Sequence, residues 1–188
     1  MSFSDFGLDK RLMSTIEHLG FNEPTDIQQQ AIPVAMTGQD LIASSKTGSG
    51  KTLAFILPAL QRLMKNRALS KKDPRVVILT PTRELAKQVF TQLRLFTAGT
   101  QFKAVLILGG ENFNDQVKTL EKDPHFLVAT PGRLADHLMK GHFYLNGLEL
   151  LILDEADRML DLGFSKELKL INKAADHRKR QTLMFSAT

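Results

Sequence analysis

The sequence predicts an α/β fold: a mostly parallel β-sheet with helices on both faces. Six short apolar runs, several rich in branched residues, alternate with longer amphipathic segments, and that alternation builds parallel sheets. Most of the runs lack a polar alternate, which is how a strand buried on both faces reads. Four motifs containing Gly, Pro, Thr or Asp follow an apolar run directly. In open parallel sheets such positions share the carboxyl edge, where ligands bind.

In chain order, a helix is expected over 26–36, opened by Pro24-Thr25 with Thr25 as the capping residue. The first strand is Leu41-Ile42-Ala43. A helix over 52–64 carries Leu53, Ile56, Leu57, Leu60 and Met64 at near-helical spacing, and residues 65–74, polar and basic, read as a surface loop. Val76-Val77-Ile78-Leu79 is the next strand, followed by a helix over 83–96 with Leu85, Val89, Leu93 and Phe96 on one side. The remaining strands are Ala104-Val105-Leu106-Ile107-Leu108, Phe126-Leu127-Val128-Ala129, Leu150-Leu151-Ile152-Leu153 and Leu183-Met184-Phe185. No internal repeat or low-complexity linker interrupts them. The 188 residues suit one domain, spanning 1–188, with a sizeable core.

Composition narrows the function classes. Lysine plus arginine is 25 against 20 for aspartate plus glutamate, a net charge of +5, which permits a polyanionic partner without demanding one. With no cysteine, disulfides and thiolate metal sites are excluded, in keeping with a reducing cytosol. His137 and His142 lack metal-ligand spacing. The start, Met1-Ser2-Phe3-Ser4-Asp5, lacks the basic and apolar regions of a secretory leader. No apolar run approaches the ~20 residues of a membrane span. The expectation is a soluble, cytoplasmic protein with no membrane partner.

Two segments carry the chemistry. In Ser45-Lys46-Thr47-Gly48-Ser49-Gly50-Lys51-Thr52, the glycines let the backbone turn tightly and aim N–H groups at an anion, and the following helix adds its positive end. Lys51 is expected to reach the β- and γ-phosphates of a nucleotide, and the Thr52 hydroxyl to ligate Mg2+. Ser45 stands where glycine or alanine is usual, a small replacement. The competing reading, a glycine-rich turn capping a helix, does not explain the order of strand, loop, lysine-threonine and apolar helix.

About a hundred residues on, Asp154-Glu155-Ala156-Asp157 follows four apolar residues. Asp154 emerges from a buried strand and suits a magnesium ion, held through water, while Glu155 suits orienting or deprotonating an attacking water. Taken alone, the same letters fit acids stabilised at a helix start. The phosphate loop tips the balance toward a nucleotide.

Asp-Glu-Ala-Asp at this place makes the chain resemble the first, N-terminal RecA-like domain of DEAD-box ATP-dependent RNA helicases, of bacterial type. The resemblance spans Phe3 to Thr188. Gly20-Phe21-Asn22-Glu23-Pro24-Thr25-Asp26-Ile27-Gln28 is similar to the family's adenine-recognising Q motif, which gives residues 1–30 the character of a Q-motif region. It implies paired hydrogen bonds from Gln28 to adenine and an aromatic stacked on the base, with Phe3 placed 17 residues before Gly20 and Phe21 inside the motif. Read without the resemblance, Phe3 is a core anchor and Gln28 a solvent-facing helix residue.

Pro81-Thr82-Arg83-Glu84-Leu85-Ala86, Gly109-Gly110 and Thr130-Pro131-Gly132-Arg133 resemble the family's RNA-backbone motifs. Threonine hydroxyls, helix-start N–H groups and arginines all suit phosphates, with little sequence preference. Each also has a bland reading as a helix start, a turn or a cap, and Arg83 has Glu84 and Glu111 as alternative partners. Ser186-Ala187-Thr188 resembles the motif that couples nucleotide state to RNA binding, with Asp157 bonded to it or to a partner domain. The resemblance therefore implies a RecA-like three-layer fold, ATP and Mg2+ as cofactors, RNA as partner, and an ATP hydrolase coupled to local duplex unwinding. It also implies a second RecA-like domain carrying further RNA contacts and arginine fingers, which these 188 residues do not supply. The alternative is a nucleotide-gated module that remodels DNA or ribonucleoprotein.

Overall fold

The computed structural model describes residues 1–46, 48, 50–176 and 179–187. Its strands are β1 (Leu41–Ser44), β2 (Val76–Leu79), β3 (Ala104–Ile107), β4 (Phe126–Ala129), β5 (Leu150–Leu153) and β6 (Gln181–Ser186). They form one sheet in the order β1-β6-β5-β2-β4-β3, every neighbouring pair parallel. The helices are α1 (Lys10–His18), α2 (Asp26–Met36), α3 (Lys51–Lys65), α4 (Arg83–Thr97), α5 (Phe113–Leu120), α6 (Pro131–Met139), α7 (Ala156–Asp161) and α8 (Ser165–Ala174), preceded by a 3-10 turn, Phe3–Phe6. All six expected strands and all three expected helices are present within a few residues.

Alternation along the central strands divides the core into two layers. Val76 and Ile78 of β2, with Phe126, Val128, Leu150, Ile152, Leu183 and Phe185, join the cluster that includes α1, α2, α3 and α4. Val77 and Leu79, with Leu127, Ala129 and Leu151, join the cluster that includes α5, α6, α7 and α8. Successive strand side chains point to opposite faces, so a run without polar alternates needs a helical layer on each side. Phe55 of α3 meets Phe185 of β6 with ring centroids 5.5 Å apart, both fully buried, a contact whose truncation to alanine costs about 3–5 kcal/mol.

Two strands depart from the two-faced reading. β1 and β3 are edges, and Ile42 on β1 is 79% exposed. An apolar run does not say where its strand sits in the sheet; only the crossover order does. The loop 65–74 is largely exposed as expected, but it ends at a buried residue, Arg75, whose Nε donates to Glu149 Oε2 at 2.6 Å. Among the described residues no helix is long and apolar enough to cross a membrane.

Because the sheet is wholly parallel, the turns after β1, β2, β3, β4 and β5 all emerge at its carboxyl edge. This puts the glycine-rich loop, Pro81-Thr82-Arg83, Gly109-Gly110, Thr130-Pro131-Gly132-Arg133 and Asp154 along one side of the molecule.

Candidate functional site

At this edge Lys51, the first residue of α3, is only 4% exposed. Its ammonium lies 3.0 Å from Glu155 Oε2 and 3.2 Å from Asp154 Oδ1. Asp154 is fully buried, and neither of its carboxylate oxygens meets a hydrogen-bond donor in good geometry. Burial pushes its pKa up to about 6, against the opposing pull of the Lys51 charge. A buried carboxylate with no well-formed hydrogen bond and, among the described residues, a single ion pair, to Lys51, fits a divalent cation, which supplies the partners the protein withholds. Glu155 caps α7 in the left-handed region at φ 52 and ψ 53. Such a conformation costs a non-glycine residue about 1–3 kcal/mol and clusters at functional sites.

Beside these groups is a cavity of about 670 Å³ lined by Phe21, Glu23, Thr25, Gln28, Gly48, Gly50, Lys51 and Thr52, and by Lys87, Gln88, Thr91 and Gln92 of α4. The phosphate loop and the Q-motif region thus open on one space. Thr47 and Ser49 lie outside the described residues. Ser45 donates its backbone N–H to Ser186 O at 3.1 Å, Lys46 is exposed, and the Ser45 hydroxyl is buried without a partner. The expected cap holds: the Thr25 hydroxyl accepts from the Gln28 N–H, and Gln28 Oε1 accepts from the Thr25 N–H at 2.9 Å.

Gln28 departs from the solvent-facing reading. It is 3% exposed rather than solvent-facing, and its Nε2 donates to the Gly50 carbonyl at 2.9 Å. Gln28 therefore clasps the phosphate loop, leaving one lone pair on Oε1 and one N–H on Nε2. Gly50 sits at φ 86, and a Cβ there would lie 2.7 Å from Gln28 Nε2 and 2.9 Å from Thr25 Oγ1; only glycine permits this closeness. Phe3 is not brought to the cavity. It is 3% exposed, edge-on to Phe6 and packed in the core, so neither ring face is free; the aromatic lining the cavity is Phe21, 36% exposed.

The nucleic-acid candidates converge on Glu111. Its carboxylate takes Arg83 Nη2 at 3.2 Å, and its carbonyl takes Arg133 Nη1 at 2.8 Å. Gly110, at φ 82, lies so close to Arg83 that a Cβ would collide with Nη1. Pro81 is buried, and the Thr82 hydroxyl caps α4 by accepting from the Leu85 N–H at 3.2 Å. Thr130 is 8% exposed and makes no side-chain cap bond, Pro131 opens α6, and Gly132 is half-buried. The Ala187 N–H donates to Asp157 Oδ1 at 2.9 Å, joining the Ser186-Ala187 segment to the acidic motif; Thr188 lies outside the described residues.

The family model for DEAD/DEAH box helicases matches residues 25–188. The chain belongs to the DEAD/DEAH box helicase family. It is 41% identical over 187 residues to the ATP-dependent RNA helicase HAS1 of Chaetomium globosum, covering 100% of this chain and 32% of that protein. It is 45% identical over 188 residues to the probable ATP-dependent RNA helicase ddx27 of Dictyostelium discoideum, covering 100% of this chain and 24% of that one. A DEAD box protein from the hyperthermophile Methanococcus jannaschii, solved as a crystal structure, superposes with a TM-score of 0.90 at 36% identity, covering 100% of this chain and 50% of the other. The chain thus spans a third or less of the two helicases. These relatives are eukaryotic or archaeal and give no support to the bacterial subtype expected from the sequence.

Sequence reading missed the α4 wall of the cavity. Lys87, Gln88, Thr91 and Gln92 repeat at helical spacing beside the buried stripe Ala86, Val89 and Leu93, so the signal was a polar stripe flanking the apolar one along the same helix.

Proposed function

We propose that this chain is the ATP-binding half of an ATP-dependent RNA helicase, working with a second RecA-like domain of the same parent chain. The observation that carries the reading is the convergence of Lys51, Asp154 and Glu155 within 3.0–3.2 Å, beside a cavity that also includes Gln28 and Phe21.

On this reading the adenine enters between Phe21 and the free positions of the Gln28 amide. The phosphates meet the backbone N–H groups at the start of α3, and Lys51 leaves its carboxylates for the β- and γ-phosphates. Asp154 and Thr52 hold Mg2+, which when bound neutralises charge on the phosphates. Glu155, released from Lys51, orients the attacking water and takes its proton. Arg83, Arg133, Thr130 and the Gly109-Gly110 backbone bind RNA phosphates, contacts that carry little sequence preference. Asp157 ties Ser186-Ala187 to the acidic motif, the route by which nucleotide state would reach the RNA side.

The test is ATP hydrolysis by the full natural chain with RNA, with DNA of the same sequence, or with neither. Stimulation by RNA alone is expected; equal stimulation by DNA, or none by RNA, would overturn the reading.

A further inference from the structure

One amide joins two of the candidate RNA elements. Gln116, in α5, is 6% exposed. Its Nε2 donates to the carbonyl of Leu108, the residue before Gly109-Gly110, at 2.8 Å. Its Oε1 accepts from Arg133 Nη1 at 3.0 Å and faces His137 Nε2 at 2.7 Å. The partners fix which end of the amide is which: a carbonyl cannot face a carbonyl, and a guanidinium has no acceptor. They also fix His137. Facing an amide oxygen, its Nε2 carries the proton, so its Nδ1 is the acceptor for His142 Nδ1–H, 2.9 Å away.

This arrangement holds Arg133 on three sides. Nη1 has two acceptors, Gln116 Oε1 and Glu111 O. The guanidinium carbon lies 5.4 Å from the ring centroid of Phe113, which is itself stacked on the His137 ring at 4.0 Å and 6°. Burial, with the nearby His142 and Arg133, pushes the His137 pKa down to about 4, so the neutral tautomer persists at neutral pH. Among the described residues Arg133 makes no other hydrogen bond, which leaves Nε and Nη2 with three N–H donors in a pre-set fork.

We propose that Gln116 is the positioning residue of this RNA interface: it sets the Arg133 fork and the Gly109-Gly110 loop at a fixed separation, with His137 as its tautomer-locked brace. The inference rests on the RNA-backbone reading of Arg133. A fork held in place before binding loses less side-chain freedom when it takes a phosphate.

The experiment is a double-mutant cycle in the full natural chain. Affinity for a labelled single-stranded RNA, with a non-hydrolysable ATP analogue present, is measured for Gln116→Met, Arg133→Ala and the pair. Methionine keeps the volume and removes all three bonds. Gln116→Met is expected to weaken RNA binding about tenfold, leave nucleotide affinity unchanged, and add clearly less once Arg133 is alanine, the remainder being its hold on the Gly109-Gly110 loop. Full additivity in the Arg133→Ala background, or no effect of Gln116→Met when Arg133→Ala weakens binding, would overturn the positioning role. No effect of Arg133→Ala itself would instead sink the RNA-backbone reading beneath it. A readout independent of any variant is the histidine side-chain 1H–15N spectrum of the natural protein: His137 as the neutral Nε2–H tautomer at pH 7 is required, and an Nδ1–H or protonated ring refutes the brace.

Discussion

The ammonium of Lys51 lies 3.0 Å from Glu155 Oε2, across 104 residues of sequence. Both side chains are about 5% exposed. The two buried groups thus offset each other's charge, with Asp154 Oδ1 3.2 Å from the same ammonium. Burying two charges together is tolerable where burying either alone is not. On the proposed reading a triphosphate offers Lys51 a stronger partner and draws it from Glu155, whose Oε1 keeps Arg158 Nη1 at 3.5 Å, so that pairing with Lys51 and catalytic readiness exclude one another.

Glu155→Gln is expected to keep ATP binding within a few-fold and to cut RNA-stimulated hydrolysis by ~10² to 10⁴, the range for removal of a general base. Lys51→Ala is expected to lose ATP binding itself. Equilibrium binding of a fluorescent ATP analogue beside steady-state turnover separates the two; a Glu155→Gln protein that turns over normally would remove Glu155 from the mechanism.

Asp154 sets a pH dependence. Its folded pKa is raised from 3.8 to about 6, burial being the main cause. The folded state therefore binds more protons than the unfolded state between these values, and the favourable contribution of the protonated form is lost as pH rises through about 6. Asp154→Asn avoids burying that charge. Its stability advantage over the natural protein, without nucleotide, should be small at pH 4 and grow by on the order of 2–3 kcal/mol by pH 7. Chemical denaturation at the two pH values measures this, and an advantage that shrinks with pH would contradict the dominance of burial over the Lys51 pair.

Gly50→Ala is expected to damage the nucleotide site and the fold together. The residue sits at φ 86 with Gln28 and Thr25 against the place a Cβ would occupy. Stability should fall by about 1–3 kcal/mol, with ATP affinity lost as the clasp between Gln28 Nε2 and the Gly50 carbonyl is forced open. Calorimetric titration and thermal melting of one sample report both.

The pair Arg75–Glu149 tests stability away from the ligand edge. Both side chains are about 5% exposed, and Arg75 Nη2 also reaches the Asn66 carbonyl at 2.9 Å. Glu149→Ala leaves a buried guanidinium unpaired and is expected to cost about 3–5 kcal/mol, a fall in Tm of roughly 10 °C for a domain of this size. Nucleotide affinity per folded molecule should stay unchanged; a Tm within about 2 °C of the natural protein, the effect of a surface change, would mean the pair is solvated.

The 188-residue chain alone should hydrolyse ATP barely above background and show no stimulation by RNA. On the proposed reading it lacks a partner domain's arginine fingers, worth ~10³ to 10⁵ in rate in related phosphoryl transfer. Robust RNA-stimulated turnover by this chain would show that no second domain is needed.

Local order along the chain was decided by the sequence. Apolar runs without polar alternates became strands, Thr25 became a cap, and the glycines of the phosphate loop preceded a helix, because each depends on neighbours a few residues away. The sequence also determined that the motifs share an edge, since a parallel sheet puts every strand-to-helix turn on the same side. What only the tertiary structure decided is how groups far apart in sequence meet. That Phe21 rather than Phe3 lines the cavity, that Gln28 clasps Gly50, that Ile42 is on an edge, and that Gln116 joins Leu108, Arg133 and His137 all depend on crossover order and packing. Side chains brought together by closing long loops leave no periodicity behind, so a lone glutamine in the sequence carries no sign of the three partners the fold gives it.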